Sequence, residues 1–213
     1  MKIVSALIVL LAMQGCVQWQ HAALYDVPQA ETTDDGLHGF SAPMIWQEQL
    51  TSEVWVTPEK RCIEMQLKND QPAKGQNYLH LKWNKQAGGC PWLGMGFGWD
   101  GWSGKDLSMI VNDGMLSFQV KSYSGKPLKA GLPGALGFED FAGNQSFVGM
   151  FGKYVVGGAI GKEWVAMQIP LKDILAQNPE IDATAIKQLI FTLESEGEIG
   201  IDEMVIQPIN PKQ

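Results

Sequence analysis

Histidine and cysteine are scarce: three of each occur in 213 residues, with no CxxC pair and no histidine cluster. A structural zinc site draws its ligands from such groupings, so that class is excluded. Positive charge is also short. The chain has 16 Lys+Arg against 23 Asp+Glu, a formal net charge of −7. That argues against nucleic acid or a polybasic membrane patch as partner, and leaves neutral glycans, cations and other proteins. The apolar run Ile3–Ala12 at the amino terminus is too short to span a bilayer. Sustained helical periodicity is missing as well, and no internal repeat or low-complexity block is present.

Glycine and tryptophan, by contrast, are concentrated in one stretch, Cys90–Leu107, which reads CPWLGMGFGWDGWSGKDL. As a strand, it turns Leu93, Met95, Phe97 and Trp99 to one face and Trp92, Gly94, Gly96 and Gly98 to the other. Glycine weakens a strand, so three at period two indicate close approach to that face. Asp100-Gly101 is a turn signal that carries Trp102, and with it Trp99, to the rim. The expectation is a shallow concave trough with indole walls, suited to a sugar chain. The competing expectation is a close-packed interior in which the glycines admit neighbouring side chains and the tryptophans are core.

The one-charge start Met1-Lys2 followed by Ile3–Ala12 is expected to be a secretory signal spanning 1–15. Met13-Gln14-Gly15-Cys16 resembles a bacterial lipobox, with glycine before the cysteine but Met13 and Gln14 in place of the usual leucine and small residue. The resemblance implies cleavage before Cys16 and its acylation, giving a membrane-anchored lipoprotein of the bacterial cell envelope; ordinary secretion or a periplasmic location is the alternative. Loss of Lys2 with the signal leaves 15 basic against 23 acidic residues, a charge of −8. With Cys16 assigned to lipid, Cys62 and Cys90 remain as a pair in an oxidising compartment. A disulfide between them would contribute about 3 to 4 kcal/mol in the chain-entropy picture; two buried free thiols are the alternative.

Residues 16–44 are mixed polar and are expected to be a tether and irregular lead-in. A single domain is expected over 45–208 and a tail over 209–213. Within the domain, Tyr78–Asn84 alternates cleanly, with Leu79, Leu81 and Trp83 opposite Tyr78, His80, Lys82 and Asn84. Its polar face is expected to lie beside the glycine face. Cys62–Leu67, Gly114–Lys121, Trp164–Leu171, Ile186–Leu193 and Glu198–Ile206 also read as strands. Lys126–Gly149, rich in glycine and proline, is expected to contain turns, with Leu136, Phe138 and Phe141 packing locally, and Phe147–Val156 to form one strand or two short ones. Short strands separated by turns indicate an all-β sandwich.

Three segments carry a family resemblance: DGMLSFQVK at 113–121, WVAMQIPLKDI at 164–174, and Ile186–Phe191 followed by GEIGIDEMVI at 197–206. Their order and spacing resemble the galactose-binding-domain-like jelly rolls. That group includes carbohydrate-binding modules of β-glucanases and the complex I intermediate-associated protein 30 family. The resemblance implies a single-domain jelly-roll β-sandwich of two antiparallel sheets with a concave glycan face, and puts Gln119, Lys121 and Tyr123 on or near that face. It also implies a structural calcium, with Asp202 at the usual acidic position; Glu203 departs from the commoner second aspartate, and Asp26 matches the amino-terminal ligands weakly.

These readings converge on a non-catalytic binder of a neutral poly- or oligosaccharide. Trp92, Trp99 and Trp102 are the candidate platforms, and Asp100, Gln119, Tyr123 and His80 the candidate hydrogen-bonding partners. Two alternatives stand beside it. An envelope interaction or assembly factor would present the tryptophan rim to a protein. A glycosidase would need paired carboxylates, and Glu198-Ile-Gly-Ile-Asp202-Glu203 resembles the catalytic strand of laminarinase-like sandwiches, except that Gly200 stands where that family has an aspartate.

Overall fold

Alternation of apolar and polar side chains is the organising signal, and it folds the chain into two antiparallel sheets. The structure is a computed structural model that describes residues 44–46, 54–57, 61–98 and 102–209. The expected signal, Cys16, Asp26, Trp99 and Asp100 lie outside those residues. The strands are β1 (Met44–Trp46), β2 (Val54–Val56), β3 (Ile63–Lys68), β4 (Tyr78–Asn84), β5 (Gly94–Gly98), β6 (Gly114–Ser122), β7 (Gly131–Asp140), β8 (Gln145–Phe151), β9 (Val165–Pro170), β10 (Ile186–Leu193) and β11 (Glu196–Pro208). One sheet runs β3-β4-β11-β6-β9, with β1 also paired to β11; the other runs β2-β5-β10-β7-β8. The all-β sandwich expected from the strand pattern, with the two antiparallel jelly-roll sheets that the family resemblance implied, is what forms.

The inward side chains of the two sheets make a shared core. In the first sheet Leu79, Leu81, Phe118, Val120 and Ile201 are fully buried; in the second Met95, Phe97, Leu136, Phe138 and Phe191 are. Phe191 stands at the junction, its ring 5.7 Å from that of Phe118 across the sandwich and 6.0 Å from that of Phe97 beside it. Each such side chain contributes roughly 1.5 to 3 kcal/mol by leaving water. Cys62 and Cys90 form a disulfide with Cα atoms 6.4 Å apart. It ties the start of β3 in one sheet to the approach to β5 in the other, so it staples the two layers.

One element departs from expectation. Residues 131–140, inside a stretch expected to contain turns and pack only locally, are a ten-residue strand inside the second sheet, with Leu136 and Phe138 in the main core. Phe141 lies just beyond it and is exposed. Two of the glycines that suggested turns, Gly137 and Gly149, serve instead as seats for rings. A Cβ on Gly137 would lie 2.6 Å from the Phe147 ring, and one on Gly149 2.4 Å from that of Phe151. The strand also bends through a register shift between Gly131 and Ala135, which masked its period-two pattern.

Candidate functional site

On β5 the apolar Met95 and Phe97 point inward, so Gly94, Gly96 and Gly98 point out. Each of those glycines lies beneath one indole. A Cβ on Gly94 would sit 2.5 Å from the ring of Trp92, on Gly96 2.3 Å from Nε1 of Trp55, and on Gly98 2.7 Å from the ring of Trp102. The expected trough is therefore filled, but by flat rings rather than by a packed interior. Trp92 is 45% exposed, and Trp55 and Trp102 are half-buried. Trp55 and Trp92 are stacked with centroids 5.9 Å apart and an interplanar angle of 24°.

Local chemistry fixes this layer. Trp55 sits between the inward Val54 and Val56 on β2 and pairs with Gly96, which aims its ring across the neighbouring glycine. Its Nε1 donates to Gln188 Oε1 on β10 at 2.7 Å. Thr57 clamps the edge: its hydroxyl donates to Gly94 O at 2.9 Å and accepts from Gly94 N at 2.7 Å. Trp102 has φ +71, a left-handed conformation that costs a bulky residue about 1 to 3 kcal/mol and concentrates at functional positions.

The other candidate residues lie on the opposite side of the molecule. β4 and β6 belong to the first sheet and β5 to the second, so His80, Gln119 and Tyr123 are not beside the glycine face. His80 is 4% exposed. Gln66 Nε2 approaches His80 Nδ1 at 3.4 Å, and His80 Nε2 lies 2.9 Å from Glu198 Oε1. An amide donor on Nδ1 leaves Nε2–H to donate to the carboxylate, so the network assigns the neutral tautomer. Burial pushes the imidazole below its ordinary 6.5, outweighing the hydrogen bond to Glu198.

Around this pair the surface is internally satisfied. The Lys121 ammonium lies 4.1 Å from the Tyr78 ring centroid and 4.5 Å from that of Trp164, and donates to Gln71 O at 3.3 Å. Trp164 Nε1 donates to the same carbonyl at 2.9 Å. Burial lowers the Lys121 pKa against the attraction of Asp70. Tyr78 donates to Asp70 and shares a short hydrogen bond with Tyr123; burial is the first cause of its raised pKa, and the two hydrogen bonds add to it. Gln119 is half-buried on β6, paired in register with Asp202. Next to this cluster is a polar groove of about 490 Å³, lined in part by Glu64, Lys82, Tyr123, Glu196 and Glu198.

The calcium expected at Asp202 is not matched by what surrounds that residue. Oδ2 accepts from the backbone N–H groups of Ala73 at 2.8 Å and Lys74 at 3.2 Å, and Oδ1 from that of Glu203 at 2.8 Å. Glu203 is turned aside by a φ of +51 and pairs with Lys74 at 3.2 Å. Calcium takes six to eight oxygen donors. Amide hydrogens occupy this carboxylate instead, and no group of three or more acidic, histidine or cysteine ligands occurs among the described residues. Among the described residues Asp202 is thus committed to backbone amides, and Asp26, the other residue the resemblance pointed to, lies outside them.

Of the seven candidate binding residues, Trp92 and Trp102 share the β5 face, His80, Gln119 and Tyr123 belong to the side of the other sheet, where the His80 and Tyr123 ring centroids are 5.0 Å apart, and Trp99 and Asp100 lie outside the described residues. Trp55 was missed. Its signal is the Val-Trp-Val alternation at 54–56, which sets the indole opposite two core valines.

A model of the family described as carbohydrate binding domain 30 matches residues 41–208. No curated protein matches the chain. The fold is similar to the family 30 carbohydrate-binding module of a cellulosomal cellulase of Clostridium thermocellum, with a TM-score of 0.64 and 17% identity over 79% of this chain and 98% of that one. A second crystal structure of a family 30 carbohydrate-binding module gives a TM-score of 0.63 at 17% identity, over 78% of this chain and 98% of that one.

Proposed function

The chain belongs to the carbohydrate-binding domain 30 family, and from that premise we propose that it is a non-catalytic lipoprotein that stacks a neutral poly- or oligosaccharide on Trp92, Trp55 and Trp102. The observation that carries this reading is the seating of three indoles on three alternate glycines of one strand. Alternate residues of an antiparallel strand advance about 6.8 Å, so the row extends along a track of about 14 Å between Gly94 and Gly98. Sugar rings have apolar C–H faces that lose water against indole, while their hydroxyls stay at the edges for polar neighbours. Glycine is required because any Cβ would lift the ring off the sheet.

Catalysis is not part of the proposal. Glu198 is engaged by His80 and Asp202 by three amides, so neither stands as a free acid–base pair of the sort hydrolysis uses. Acylation at Cys16 would hold the domain at the cell envelope, where the platform meets polymeric glycans outside the membrane.

Affinity electrophoresis of the mature protein through gels containing neutral polysaccharides tests the binding role. Retardation in at least one gel, abolished by Trp92→Ala, is the expected result. Free migration in all of them, or retardation that Trp92→Ala leaves intact, removes the reading. Mass spectrometry of the amino terminus tests the anchor, and an unmodified terminus beyond Cys16 refutes it.

A further inference from the structure

The tryptophan row covers only one margin of the second sheet, and the same construction recurs on the other. Phe147 on β8 lies over Gly137 of β7, and Phe151 over Gly149 of β8 itself. Phe151 is 55% exposed and Phe147 half-buried. Between the rows, Ile190 on β10 pairs with both Gly96 and Gly137. It is only 3% exposed although it points outward, lying between the two glycines that carry Trp55 and Phe147. Trp55 and Phe147 thus sit above strands two spacings apart, about 10 Å, with an apolar floor between them.

Along β5, and at 135 and 137 on β7, the outward positions are Gly94, Gly96, Gly98, Ala135 and Gly137, which add no long side chain between the rows. Beyond Phe147 and Phe151 the β8 edge opens on a groove that Lys153, Lys172 and Asp173 also line. At one end the Glu139 carboxylate is matched by Lys187 Nζ at 2.9 Å and Gln145 Nε2 at 2.6 Å. Exposed phenylalanines on an edge strand invite association, and a ring serving only the core would be buried.

We infer that Phe147 and Phe151 form a second track beside the tryptophan row, so that the whole face docks two side-by-side chains of an ordered, insoluble polysaccharide surface rather than a single dissolved chain. The inference rests on the tryptophan row being a glycan platform. A lone flexible chain reaches one row; a planar array of chains reaches both and gains from their simultaneous engagement.

The test compares matched probes with the full chain: microcrystalline cellulose against soluble cello-oligosaccharides, and insoluble against soluble xylan fragments. Phe147→Ala/Phe151→Ala is expected to lower partition onto the insoluble form about tenfold, and to leave the soluble affinity within about twofold. Phe147→Leu/Phe151→Leu, which keeps apolar cover but removes the flat rings, should show the same split with an unchanged melting temperature. Equal loss on both forms would make the phenylalanines part of a single-chain site and overturn the inference. No loss on either would overturn it too, as would a concentration-dependent dimer that the variants abolish while glycan binding persists. If Trp92→Ala has no effect on either form, the underlying platform reading fails, which is a separate result from failure of the phenylalanine track alone.

Discussion

The indole nitrogen of Trp55 donates to the side-chain oxygen of Gln188 at 2.7 Å, joining residues 133 apart in sequence across the β2-β5-β10 edge. That bond fixes the rotation of the ring on Gly96 and therefore the plane presented to a sugar.

Replacing Gln188 with leucine keeps the bulk and removes the acceptor. Trp55 Nε1–H is then left half-buried without its partner, at a cost of about 1 to 2 kcal/mol. Glycan affinity should drop roughly threefold to tenfold as the ring loses its orientation, since a factor of ten corresponds to 1.4 kcal/mol. Denaturant melts and isothermal titration calorimetry check the two effects separately.

Gly96→Ala is the sharper substitution. The new Cβ would fall 2.3 to 2.6 Å from three atoms of the Trp55 indole, so the ring must tilt away. The expected readouts are a changed near-ultraviolet circular dichroism spectrum and a loss of glycan affinity of more than about tenfold. Gly125→Ala, where nothing lies within 4 Å, should leave both unchanged.

Reducing the Cys62–Cys90 bond should lower stability by about 3 to 4 kcal/mol. Unfolding in guanidinium with and without a thiol reductant measures this. Because the bridge joins the two sheets near the head of β5, affinity should fall along with stability.

His80 sets a pH dependence. Its folded pKa lies below the ordinary 6.5, so in the interval beneath 6.5 the unfolded chain holds a proton that the folded chain does not. Stability therefore decreases as pH falls from about 6.5 toward the lowered folded value. Melting temperature should drop between pH 7 and pH 5, and His80→Gln, which retains a donor for Glu198, should flatten the slope. An unchanged slope in the variant would show that other groups govern this range.

The strands with strict alternation, such as Tyr78–Asn84, Gly114–Lys121 and Trp164–Leu171, were legible because apolar and polar side chains alternate along them, although the polar side of the first two is itself largely covered, with Tyr78, His80, Ser117 and Lys121 buried. β7 was not legible in this way. Its outward residues at 135 and 137 are alanine and a glycine beneath Phe147, and glycine in a sequence carries the same letter whether it makes a turn or seats a ring. Half of the candidate site was legible in the Gly-Trp spacing of β5. The other half was misplaced, because alternation tells which residues share a face of a strand and says nothing of which sheet the strand joins. His80 and Gly96, sixteen residues apart, consequently look outward in opposite directions. Trp55 sits on a three-residue strand, too short for its period to stand out.

Rings resting on bare backbone have little rotational freedom left to surrender. Trp55, Trp92 and Trp102 each lie against a glycine that leaves the indole nowhere to sink, so docking freezes few additional torsions. Recognition on such a surface avoids much of the ordering penalty that flexible side chains incur. Its binding entropy should be correspondingly mild, with desolvation of flat carbon surface as the leading contribution.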